Sequence, residues 1–167
     1  MINEIDELED TGDYGGDLPT GSAKYAGYLL VEEINEEFDT SYAAIGELIV
    51  DTDFDEETVS VNADDFFELD VDQFNESDDD TSLSDLDGTA ISGSFTGNIE
   101  YDENDSVTGS LTKLSGEEAT YTFTSLDAVA LGEDASHFGI QNIENGISEA
   151  TGRDEVDAGI LGIAERQ

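Results

Sequence analysis

Between Ala90 and Tyr101, small and apolar residues alternate strictly with polar ones: Ile91, Gly93, Phe95, Gly97, Ile99 and Tyr101 against Ala90, Ser92, Ser94, Thr96, Asn98 and Glu100. A period of two belongs to an extended strand with one face in a core and one in water, and a helix cannot satisfy it. The same period runs through Ala23, Tyr25, Gly27, Leu29 and Val31, then Val59, Val61 and Ala63, then Val107, Gly109 and Leu111, then Ala119, Tyr121 and Phe123. Further strands are expected near Tyr42–Thr52, His137–Ile147 and Val156–Ala164. The alternation breaks at Phe66 and Phe67, which predicts a bulge. Turn-rich segments at Asn35–Thr40, Asp53–Glu57, Asp102–Asp105 and Gly116–Glu117 imply hairpin neighbours.

These strands predict an all-β fold: one eight-stranded antiparallel up-and-down β-barrel over residues 19–167. Closure would remove the sheet edges that invite aggregation. Glycines alternating with Phe, Ile and Leu suit the crowded interior of a small barrel. A β-sandwich with the same hairpins is the alternative. Residues 1–18 mix acids with Gly12, Gly15 and Gly16 and read as a flexible acidic N-terminal arm, ended by Pro19. Residues 75–87 read as an acidic loop, and residues 127–136 as a connection with one helical turn.

Charge constrains the setting. Asp and Glu number 44 against four Lys and Arg, a formal net charge of -40. Disorder and nucleic-acid mimicry are competing readings of such a charge, but the regular apolar spacing favours a folded domain with a surface suited to salt. Spread over roughly 8,000 Å² of folded surface, the acids would stand about 13 Å apart. The Debye length falls from about 30 Å at 0.01 M salt to about 3 Å at 1 M. Repulsion is then severe in dilute buffer and screened in brine. The expected result is a melting temperature that drops on desalting. One that stays level from molar to millimolar salt would contradict this reading.

The same charge repels nucleic-acid phosphates and anionic bilayers. It leaves cations, basic protein patches or neutral surfaces as partners. No apolar run approaches the roughly 20 residues of a membrane helix, so neither nucleic acid nor membrane insertion is expected. Met1–Asp10 has neither the basic nor the apolar region of a secretory signal. The expected location is extracellular or cell-surface if a leader has been removed, and the exterior of a virion or particle otherwise.

Residues able to carry chemistry are few. There is no Cys, and His137 is the only His. No G-x-S-x-G elbow occurs, and no carboxylate pair stands out among so many, so an enzyme is not expected. Asp51, Asp53 and Asp55 have the i, i+2, i+4 spacing that opens an EF-hand loop. Glu56 then stands where Gly is required, and Asn62 where Glu is required. With Asp78, Asp79 and Asp80 in the acidic loop, and Asp102 and Asp105 at a hairpin, they could hold Ca2+ or another cation weakly. A solvated acidic turn is the competing reading, and no cofactor is required. Asn75 and Asn104 open glycan-acceptor triplets that arise readily by chance. Phe66, Phe67 and Phe74 lie where the third strand runs into the acidic loop. Core or staple packing is the favoured reading, and an exposed partner-contact patch is the alternative.

The opening LPTGSAKYAGYLLVEE, with Gly21, Ala23, Tyr25 and Gly27, resembles the first strand of the small barrels in the C-terminal lobe of transferrin-binding protein B and in factor H-binding lipoproteins. ELIVDTDFDEETVSV resembles their strand–turn–strand hairpin, with Asp53 and Phe54 at the turn. LGEDASHFGIQNIENG resembles their Gly-rich entry to the seventh strand. AGILGIAERQ resembles their closing strand, with Gly159, Leu161 and Ile163. The likeness covers residues 18–167. The lipobox Cys is missing, and His137 and the closing Ile depart from the commoner residues. The resemblance implies an eight-stranded barrel with a non-enzymatic, surface-exposed binding role. It carries over no binding residue, because the family's contact loops vary.

The expected function is a binding or adhesion module adapted to high salt, meeting a protein partner or assembly neighbour through its arm or loops. A structural decoration or spike protein of a marine virus or gene-transfer particle is the alternative. An acidic nucleic-acid mimic is a distant third.

Overall fold

A computed structural model describes residues 20–35, 40–76, 88–100, 106–131, 135–150 and 156–167. The arm, and the loop and hairpin holding Asp78, Asp79, Asp80, Asp102, Asp105 and Asn104, lie outside the described residues.

The chain is all-β. Its strands are β1 (Ser22–Ile34), β2 (Thr40–Asp53), β3 (Thr58–Leu69), β4 (Gly88–Ala90), β5 (Ser92–Glu100), β6 (Ser106–Thr112), β7 (Glu118–Thr124), β8 (Asp127–Leu131), β9 (His137–Ala150) and β10 (Val156–Arg166). One short helix, α1 (Val71–Glu76), follows β3. The strands form one antiparallel, ten-stranded sheet in the order β10-β1-β2-β3-β5-β6-β7-β9-β8, with β4 on β3 and a further ladder between β9 and β10. The sheet curls around a single large core.

The expected count of eight strands is corrected. Residues 127–131, expected in a connection, form β8 along the first half of β9, from Asp127↔Gln141 to Leu131↔His137. β7 runs along the second half of β9, from Ala119↔Ala150 to Phe123↔Gly146. Ser125, with φ 56°, breaks the chain between them. β4 and β5 likewise share β3, at Phe67↔Ala90 and Ala63↔Phe95.

The expected bulge is present in β3. Its register against β2 shifts between Ile45 and Glu47, and Asp65 takes up the extra residue at φ 51°. The shift reverses the inward parity of β3 from Val61 and Ala63 to Phe66, which is 1% exposed.

Aromatic rings fill the interior. Phe95 lies 5.4 Å from Phe66, 5.7 Å from Tyr121 and 6.1 Å from Phe123, centroid to centroid. Its strand neighbour across the ladder is Gly109, where a Cβ would come within 2.5 Å of the Phe95 ring. Glycine there is the space the ring occupies. At the other end of the core, Tyr25 packs on Phe138 and donates its hydroxyl hydrogen to the Ala135 carbonyl at 3.0 Å.

The outer faces divide sharply by chemistry. Across β5, β6 and β7 the outward residues stand in register as Ser92–Thr112–Glu118, Ser94–Ser110–Thr120, Thr96–Thr108–Thr122 and Asn98–Ser106–Thr124. Glu118 is the only carboxylate in those rows. The outer face of β10, β1, β2 and β3 is built differently.

Candidate interaction surface

Outward positions on β10, β1, β2, β3 and β4 line up as Leu161–Leu30–Ile45–Phe67–Ala90. This apolar row lies on the side of the sheet away from the core. Leu30, Ala43 and Leu69 are buried there in a second cluster, with Ile45, Phe74 and Leu161 packed against it.

The cover is α1. Asp70 caps it by accepting hydrogen bonds at Oδ1 from the backbone N–H groups of Asp72 (3.0 Å) and Gln73 (3.2 Å), the usual work of an N-cap carboxylate. The Phe74 N–H closes the turn on the Asp70 carbonyl at 2.8 Å. A helix this short has little stability of its own. Docking Phe74 on the stripe is what holds it.

α1 leaves part of the stripe open. Phe67 is 44% exposed and Tyr28 54% exposed. Tyr28 belongs to the adjacent row Ile163–Tyr28–Glu47–Asp64. The row on the other side is Gly159–Glu32–Ala43. The open apolar ground is therefore bordered by Glu47, Asp64 and Glu32, with exposed Asp65, Asp70 and Asp72 nearby. Tyr28 and Phe67 are thus exposed aromatic side chains in neighbouring rows, with carboxylates beside them.

The aromatic trio expected at the end of β3 is thus split. The partner-contact reading is corrected for Phe66, a core residue because the bulge turns it inward. Phe67 faces out, and Phe74 lies under α1 on the stripe.

The paired acids have other partners. Asp53 Oδ1 accepts from the N–H groups of Asp55 and Glu56, both at 3.1 Å, and so caps the β2–β3 turn. Lys24 Nζ lies 3.6 Å from Asp51 Oδ1. Asp51 and Asp53 line an open groove with Ser22, Lys24, Thr58 and Ser60. Among the described residues, no group of three or more His, Cys, Asp or Glu side chains is placed to hold a metal ion. His137 opens β9, with its Nδ1 3.0 Å from Ser136 Oγ.

Sequence reasoning missed a buried ion pair. Lys113, where β6 turns toward β7, has its Nζ 2.9 and 2.8 Å from the two carboxylate oxygens of Glu33. Their side chains are 8% and 4% exposed. The Tyr121 hydroxyl donates to Glu33 Oε1 at 3.1 Å. Lys113 Nζ also sits 4.4 Å from the centre of the Tyr42 ring and 3.9 Å from Glu117 Oε1. Burial, then the carboxylates of Glu68 and Glu33, push the Tyr42 phenol well above its ordinary pKa. Glu33 is the one buried acid among the described residues, and its charge is answered. The only signal in the sequence was a scarce Lys just past the strand that holds Val107 and Leu111.

No protein-family model matches the chain, and no curated protein matches it.

Proposed function

We propose that this chain, which has no matching family to lend it a role, is a non-enzymatic, surface-exposed binding module adapted to high salt. One observation carries the reading: the row Leu161–Leu30–Ile45–Phe67 is apolar on the outside of the sheet, and α1 covers it only in part. A stripe that serves stability alone would be covered or polar. Core-like side chains within a polar rim are the anatomy of a protein interface.

The barrel reading belongs to the same proposal. β4 with β5, and β7 with β8, are each two pieces of one strand position. Counted so, the ten strands would reduce to eight positions, and β10, at one end of the order, also pairs with β9, which stands next to the other end. That supports an up-and-down barrel over a sandwich, and it agrees with the likeness to the transferrin-binding and factor H-binding lipoprotein barrels. Display outside a cell suits both the charge and the stripe.

The test is retention of the full chain on its source cells or particles in molar salt. The unmodified chain is expected to stay with one protein partner in fixed proportion, and Tyr28→Ser/Phe67→Ser to elute freely while remaining folded. Equal retention of the two, or none for either, would remove the stripe as the binding site.

A further inference from the structure

We infer that the stripe accepts a cationic amphipathic helix, a segment with an apolar face flanked by Lys or Arg; this rests on the reading of the stripe as the binding site. Two independent observations lead there. The first is the shape of what already sits on it. The stripe's present cover is a helix, α1, which docks through Phe74 on Leu30, Ala43 and Leu69 and stops short of Phe67 and Tyr28. The ground that α1 leaves open runs from Tyr28 on β1 past Ile45 on β2 to Phe67 on β3 and Ala90 on β4, about 14 Å at the usual strand spacing of about 4.8 Å. A helix of about 10 residues spans that length. Its apolar side chains recur every three or four residues, close to one per strand crossed.

The second observation is charge. The apolar ground is bordered by Glu47, Asp64 and Glu32, and no Lys, Arg or His stands in its row or in either neighbouring row. A partner covering the stripe must face those carboxylates. A neutral partner would strip water from them and return nothing. A second copy in a two-fold pair would set acid rim against acid rim. An anionic bilayer would meet the same repulsion. Lys or Arg flanking an apolar face satisfies both parts of the surface and selects against partners of the wrong sign.

The probe is a synthetic helix of about four turns with Leu at i, i+3, i+4 and i+7 and Lys elsewhere. Binding to the full chain is followed by fluorescence anisotropy at low and molar salt. One comparison peptide keeps the Leu pattern but carries Gln for Lys. Another keeps the composition but scrambles the order, so that the apolar face is lost. The expected result is binding by the Leu/Lys helix about tenfold tighter than by either comparison peptide, the size of one good interface contact. Tyr28→Ser/Phe67→Ser should lose it, and Thr108→Ala/Thr122→Ala on the hydroxyl face should keep it. If the Gln helix binds as well as the Lys helix and still depends on Tyr28 and Phe67, the site stands and the cationic partner is overturned. If the scrambled peptide binds equally, if the Tyr28/Phe67 variant binds unchanged, or if no peptide binds, both the site and its partner fall.

Discussion

Lys113→Met lowers the unfolding free energy by about 3–5 kcal/mol, the cost of leaving one partner of a buried pair uncompensated. With the ammonium gone, the Glu33 carboxyl, at 4% side-chain exposure, loses the cation that lies against both its oxygens. A hydrogen bond from the Tyr121 hydroxyl does not replace a cation held by both carboxylate oxygens. Small domains are stable by about 5–15 kcal/mol, so this one change removes a large share of the total. Lys113→Met combined with Glu33→Gln should recover most of the loss. It discards both charges and leaves an amide oxygen for the Tyr121 hydroxyl. Urea unfolding at fixed molar salt is the measurement. Guanidinium chloride would screen the acidic surface while it denatures. A single variant as stable as the parent would mean that solvent reaches Glu33.

Phe95→Ala costs about as much, roughly 3–5 kcal/mol, for a different reason. Phe95 is 2% exposed and touches the rings of Phe66, Tyr121 and Phe123. Gly97 on its own strand and Gly109 across the ladder have no side chain to move into the gap, which leaves the three rings to relax into it. Cavity cost grows with the volume left behind. Phe95→Leu retains part of that volume and should cost clearly less. Equal losses from Ala and Leu would indicate that ring stacking, rather than filled space, is what Phe95 contributes.

The parts of the fold visible in the sequence are those governed by local rules. Alternation located β1, β5, β6 and β7, because each has one face in the core and one in water. The bulge at Asp65 showed in the broken period at Phe66 and Phe67. β8 did not show. Ala128, Val129, Ala130 and Leu131 do not alternate, and they are a strand because β9 lies beside them. α1 is too short for a helical period to emerge, although Asp70 was a readable cap. The stripe left a trace that was legible in principle. Leu29–Leu30–Val31 and Ile160–Leu161 are consecutive apolar residues, the pattern of strands covered on both faces. The Glu33–Lys113 pair joins residues 80 apart, and no local pattern predicts which of many acids a lone lysine will meet.

The hydroxyl face of β5, β6 and β7 has a consequence for how the molecule sits among ions. The even spread of acids assumed for the whole surface does not hold across those rows. Counter-ions are drawn to carboxylates, so the Ser and Thr rows of β5–β7 hold fewer sodium ions for their area than the outer rows that carry Glu32, Glu47 and Asp64.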